Sequence, residues 1–433
     1  MIWGRFLALG TLVLGVGALP ARLQDFTSTN NSCENTPHVA LRLHNVFSTA
    51  VREKRVPGIA AVALNRDGSV IFKSAWGTID INDPLSDPIN SSTKMPIASM
   101  TKAVTAVAAL QLIEQGKLGL EDLVADHIPA WKSISVLDGF TGNGQPILRA
   151  PKSNATILNL FTHTSGQPYA FLNHNIRQWG EWVDNQSSTP PPTPLAADPG
   201  TGWFYGDGLD TLGKVVESIS GLRLDAYFEK HIFKPLGIKN SGLIAAEIYS
   251  HRRLVNGTIT ASAPSPVSPS ATPGGGAFLT STLDDYSNFL LSLLNWGTHP
   301  KTGATILESS TVKSYVFTDL LRRAVPGYET CGFKPAGDPV GVWNSNDETL
   351  SRNYTFLPGT RKGWSASFLT NNNKNVPERR KEGSGAWAGI NNLFYYIDPK
   401  SGKLGIIFTN LLPFLDPEIL DLFDKLEEEV SAL

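Results

Sequence analysis

Residues 97–124 read "IASMTKAVTAVAALQLIEQGKLGLEDLV", with Ser99 and Lys102 three positions apart at the head of a long apolar run. Ser-x-x-Lys also occurs at Ser91/Lys94 and at Ser310/Lys313, so spacing alone does not choose among the three. Ser91/Lys94 runs into Pro96, which disfavours helical geometry just before it. Ser310/Lys313 reads as an N-cap serine followed by an exposed helical lysine. Only Ser99/Lys102 opens a helix, predicted from Met100 to about Gln115, that turns both residues to one face. Free N–H groups at a helix start favour an oxyanion there. Neighbouring Met, Thr, Ala and Val suggest a desolvated lysine with a depressed pKa.

Outward from this segment, "VALRLHNVFSTAVREKRV" has the period of an amphipathic helix. "GIAAVALN" and "SVIFKSAWG" flank Arg66-Asp67-Gly68 as a strand, turn and strand. Near the other terminus, "NLFYYIDPKSGKLGIIFTNLL" holds two more strands, and "PEILDLFDKLEEEVSAL" is again amphipathic. Residues 97–250 are mostly helical in pattern, and "SAPSPVSPSATPGGG" (262–276) reads as a loop returning to the sheet. The expectation is an α+β fold: an antiparallel sheet from both chain ends, flanked by helices, with a mostly helical lobe inserted at about 120–270.

The chain has 433 residues, 41% hydrophobic and 18% charged, with a formal net charge of -2. A chain of this length suggests two lobes. A near-neutral chain without charge runs argues against nucleic acid or an anionic membrane as partner. Residues 6–18 are apolar after Arg5, and Val16-Gly17-Ala18 suits a signal peptidase, so residues 1–18 read as a signal peptide and 19–37 as an arm. An uncleaved anchor is the other reading, although the run is short for a bilayer span. Secretion would permit glycans at the sequons Asn30, Asn90, Asn154, Asn185, Asn256 and Asn353, and a disulfide between Cys33 and Cys331. Two unpaired thiols are the alternative. No Gly-x-Ser-x-Gly, His-Glu-x-x-His, Cys-x-x-Cys or phosphate loop occurs, so the expectation is no metal and no cofactor.

Serine chemistry needs a second proton-transfer group and an oxyanion hole. "ADPGTGWFYGDGLDTLGKVVESISG" offers Tyr205 in a glycine-flanked turn, and "GSGAWAGINNLFYYID" a small-residue edge strand with backbone N–H groups. A core-capping tyrosine is the competing reading of Tyr205.

Taken in order, Ser99-Met-Thr-Lys102, "NLFTHTSG" (159–166), "DPGTGWFYG" and "GGGAFLTSTLDDYSNFLLSLL" resemble the serine β-lactamase-like superfamily of class C β-lactamases, DD-peptidases and esterases. "THTSGQPYAFLNHNIRQW", "DPGTGWFYGDGLDTLGKVVE" and the closing "GS…NN…IDPKSG" are most similar to the fungal lovastatin-type acyltransferases and related esterases. The resemblance implies a catalytic domain at 38–433, Ser99 as nucleophile, Lys102 as its partner and Tyr205 as general base and acid. It also implies an oxyanion hole from the N–H groups of Ser99 and Ile390, and a structural His163. Asp207 stands where the β-lactamase Tyr-x-Asn motif has Asn. Trp387-Ala388-Gly389 replaces the Lys-Thr-Gly strand, which places Asp207, Trp387 and Gly389 in the substrate pocket. The implied activity is an esterase or transesterase on neutral esters or thioesters, with a small-molecule acyl donor and an alcohol or water acceptor. β-Lactamase or DD-peptidase amide hydrolysis is the alternative, and a secreted, non-catalytic binding protein on the same fold the rival. The lovastatin-type enzymes draw on a synthase-bound thioester inside the cell, a donor that a secretory signal would separate from this chain.

Overall fold

The structure, a computed structural model, describes residues 36–184, 191–268, 271–328, 336–337, 339–374 and 379–433. Its main helices are α1 (Thr36–Arg52), α2 (Thr101–Glu114), α3 (Ile157–Phe161), α4 (His174–Asp184), α5 (Gly208–Ser220), α6 (Leu283–Leu294) and α7 (Pro417–Ser431). The principal sheet has β1 (Gly58–Asn65), β2 (Val70–Gly77), β3 (Lys362–Trp364), β4 (Leu369–Asn371), β5 (Gly385–Gly389), β6 (Leu393–Asp398) and β7 (Lys403–Phe408). Its order is β3-β4-β5-β6-β7-β1-β2, antiparallel throughout.

The two chain ends meet where β1 pairs with β7, Val62 opposite Ile406 and Ala60 opposite Phe408. These strands are nearly continuous apolar runs because both sheet faces are covered. Strand alternation separates the covers. Tyr395 of β6 meets Tyr286 of α6, whereas its neighbour Phe394 meets Phe423 of α7 on the opposite face. Helix α1 lies with α7, burying Val39, Leu43, Phe47 and Ala50 at the three- and four-residue spacing of one helical face.

Helix α2 differs from these amphipathic covers. Residues 101–112 are all buried, so α2 is covered on every side and runs inside the molecule against α5. The region expected to be mostly helical also holds a hairpin, Val136–Phe140 paired with Pro146–Arg149, around the turn sequence Thr141-Gly142-Asn143-Gly144. That turn chemistry closes a hairpin more readily than a helix. Between 262 and 276 the described residues beyond Ser262 carry neither helix nor strand. No helix among the described residues is long and apolar enough to cross a membrane. Residues 1–35 and Cys331 lie outside the described residues, and with them the signal-peptide and Cys33–Cys331 readings and all of the arm but Thr36 and Pro37, which open α1.

Candidate active site

Ser99 sits in a single 3₁₀ turn, Ala98–Met100, that runs straight into α2. Ala98 carries a φ of +44°, a strained value for a residue with a Cβ. The turn is pinned on several sides. Ile97 N–H donates to Leu279 O at 2.9 Å, and Tyr286 Oη–H donates to Met100 O at 3.0 Å. Ser99 remains half-buried while its neighbours Ala98 and Met100 are buried.

One helical turn on, Lys102 is fully buried, and its Nζ has three acceptors. It donates to Ser99 Oγ at 3.1 Å, to Tyr169 Oη at 2.8 Å and to Gly276 O at 2.9 Å. An ammonium has three hydrogens, and here each has a partner. Burial alone would lower the Lys102 pKa, but Tyr169, Tyr205 and Asp210 outweigh it and hold the pKa above its ordinary value. The depressed lysine expected from the apolar neighbours in sequence is therefore corrected. Those neighbours desolvate Nζ, but groups distant in sequence supply the compensating negative charge and dipoles.

Tyr205 lies beside this centre, its ring centroid 5.0 Å from Lys102 Nζ. Its hydroxyl accepts a hydrogen bond from Trp387 Nε1 at 2.8 Å. The tyrosine bonded directly to Lys102 is Tyr169, which sequence reasoning missed although "HTSGQPYAF" contains it. Burial, above all, pushes the Tyr169 pKa up, so it stands as a phenol. Gly276 O and Asp210 were missed too. Asp210 Oδ1 accepts Gly276 N–H at 3.0 Å and thereby fixes the carbonyl that Lys102 uses.

Strand β5 faces the Ser99 turn. A Cβ on Gly389 would come within 2.5 Å of Ile97 O, so glycine permits this approach. β5 is not an edge strand, since Gly385 and Ala386 pair with β4. Its second half, Trp387–Gly389, extends past the short β4 partner, and half-buried Ile390 follows directly. Trp387 is buried among Trp364 (4.5 Å between centroids), Tyr205 (5.0 Å) and Phe356 (5.4 Å). Asp207 precedes α5 without capping it by its side chain, and burial, with Asp210 nearby, pushes its carboxyl up to about 6.

The other Ser-x-x-Lys pairs are drawn elsewhere. Ser91 Oγ donates to Asp284 at 2.8 Å and Lys94 pairs with Glu247 at 2.8 Å. Ser310 is inside the short helix Ser309–Thr311 rather than at its N-cap, which is Glu308. Asn90, Asn154, Asn256 and Asn353 are exposed, while Asn30 and Asn185 lie outside the described residues. Among the described residues no cluster of His, Cys, Asp and Glu is arranged to hold a metal.

Comparison with known proteins agrees with this geometry. The Beta-lactamase family model matches residues 43–427. The chain is 26% identical to monacolin J acid methylbutanoyltransferase of Aspergillus terreus, over 90% of this chain and 95% of that one. It is 33% identical to a lovastatin esterase of Penicillium rubens over 206 residues, about half of each chain (46% and 52%). Unliganded simvastatin synthase from Aspergillus terreus superposes with a TM-score of 0.75 at 25% identity, covering 91% of this chain and 98% of that one. A serine beside a buried lysine, the two flanked by paired tyrosines, thus sits in a fold whose similar members cleave or transfer esters. The chain belongs to the Beta-lactamase family, and within it is a serine hydrolase or acyltransferase of the esterase and transesterase kind.

Proposed function

We propose that Ser99 is the acyl-accepting nucleophile of an esterase or transesterase that takes neutral, largely apolar acyl groups. The observation that carries this is the position of Ser99 Oγ, 3.1 Å from a Lys102 ammonium whose hydrogens are all engaged. A lysine so held is a fixed positive charge rather than a base. Tyr169, held as a phenol, is not the base either. We assign that role to Tyr205, whose oxygen accepts the Trp387 N–H and whose ring lies beside Lys102.

In the acylation step, Ser99 Oγ bonds to the ester or thioester carbonyl carbon and its proton passes to Tyr205. The N–H groups of Ser99 and Ile390 hold the oxyanion. As the C–O or C–S bond breaks, Tyr205 returns the proton to the leaving alkoxide or thiolate. Water or an alcohol then repeats the sequence in reverse and frees the acyl group as acid or ester.

Aromatic Trp387 stands in place of a carboxylate-binding lysine, and Asp207 and Asp210 add acidic groups, which supports neutral donors over carboxylate-bearing amides. A panel of neutral short-chain esters and benzylpenicillin, with and without alcohol acceptors and with products weighed, tests this. Comparable kcat/KM on both substrate classes would overturn it. We also propose entry into the secretory pathway with cleavage after Ala18, a reading that the exposed sequons support. N-terminal sequencing and intact mass before and after deglycosylation test it, and an unglycosylated product starting at Met1 would refute it.

A further inference from the structure

An antiparallel bridge at Pro168 and Gly206 holds the two site tyrosines in one register. Tyr169 N–H donates to Tyr205 O at 3.1 Å, and Asp207 N–H donates to Gln167 O at 3.0 Å. The residue between the bonded pair turns its backbone groups the other way. Pro168 has no N–H there, but Gly206 does, and Gly206 is buried. Its acceptor is His163 Nδ1, at 3.4 Å. His163 also takes Phe204 N–H on its backbone carbonyl at 2.7 Å, so one residue grips both chain neighbours of Tyr205. The His163 ring lies 4.5 Å from the Tyr205 ring, centroid to centroid, and is only 1% exposed.

Resting on the Ser99–Tyr205 reading, we propose that His163 is a positioning residue whose neutral Nδ1 clamps Gly206 and so fixes the Tyr205 hydroxyl relative to Lys102 and Ser99. Accepting at Nδ1 places the ring hydrogen on Nε2. A protonated ring would offer two donors and release Gly206. Burial first, and the Lys102 charge second, keep the His163 pKa well below its ordinary value, so the clamp stays closed. The same arrangement excludes His163 as a base toward Ser99, because its one lone pair is already used.

The test compares the wild type with His163→Leu and His163→Asn. Asparagine sets Oδ1 near the place of Nδ1 and tolerates the left-handed backbone that His163 adopts (φ +56°). Leucine keeps bulk and removes the acceptor. The expected result with a neutral ester is a kcat lowered at least about tenfold in the leucine variant, KM little changed. The asparagine variant should return to within about threefold of wild type even where its melting temperature falls. An asparagine variant as slow as the leucine one, or a leucine variant with wild-type kcat, overturns the clamp.

Should the leucine variant not fold, imidazole nitrogen NMR of the full ¹⁵N-histidine-labelled wild-type chain decides, with His163 assigned by its loss in the asparagine variant. Hydrogen on Nε2 and no titration from about pH 5 to about pH 9 is the expected spectrum, whereas an Nδ1–H tautomer or a titration in that range overturns the clamp. Fluorophosphonate labelling of wild-type Ser99 is run alongside. Its absence would refute the proposed chemistry, leaving the spectrum to decide the clamp separately.

Discussion

The Lys102 ammonium donates to the Tyr169 hydroxyl at 2.8 Å, while the Tyr205 hydroxyl takes its hydrogen bond from Trp387. The two tyrosines are therefore not equivalent, and substitution by phenylalanine should separate them. Tyr205→Phe removes the proposed base and should cost roughly 10² to 10⁴ in kcat, about 3 to 5 kcal/mol of transition-state stabilisation. Tyr169→Phe removes one acceptor from a buried ammonium and should cost about 1 to 3 kcal/mol of stability, with a smaller fall in acylation. Single-turnover acylation and thermal melts on the same preparations check both outcomes. Normal acylation by the Tyr205 variant would take that residue out of the mechanism.

Ser99→Ala should abolish acyl-enzyme formation. Ser91→Ala and Ser310→Ala should leave it intact, because Ser91 serves Asp284 and Ser310 lies in an exposed short helix. Fluorophosphonate labelling followed by intact mass reads all three. Labelling that survives in the Ser99 variant would show that another residue is the nucleophile.

Asp207 makes stability depend on pH. Its carboxyl, pushed up to about 6 by burial and by Asp210, is protonated in the folded chain where the unfolded chain has already ionised. Folding then takes up a proton. The contribution is fully present below about pH 4 and is lost as pH rises through about 6. Asp207→Asn removes that loss, so the variant should gain roughly 1 to 3 kcal/mol over wild type at about pH 8 and nothing near pH 4. Urea unfolding at both values measures the difference. An equal gain at both would trace the effect to packing instead.

Gly275→Ala should damage both fold and site. A Cβ there would come within 2.2 Å of Leu209 O at the head of α5, and the backbone has to shift. The adjacent Gly276 carbonyl, which Lys102 uses, would move with it. A loss of about 1 to 3 kcal/mol in stability together with slower acylation is expected. A stable variant with unchanged acylation would show that the backbone takes a Cβ here without displacing the Gly276 carbonyl.

Local pattern made much of this protein readable from its residues alone. Alternating and continuous apolar runs identify β1, β2, β6 and β7, since a strand covered on both faces has few other ways to be written. The apolar run following Ser99 marks α2, and helical spacing carries Lys102 to Ser99. Three further relationships came from the tertiary structure. Lys102 keeps its proton because Tyr169, Tyr205 and Asp210 converge on it across long sequence separations, reversing what its immediate neighbours suggest. Tyr169 and Tyr205 divide their roles through a bridge between loops 36 residues apart (169 and 205), which no periodicity encodes. The half of β5 left unpaired by β4 exists because β4 is short, a property of the partner strand and not of "GAWAG". Covalent neighbours set which element a segment forms, whereas burial and charge act through space, so the state of each atom in the candidate site depends on residues brought near it only by folding.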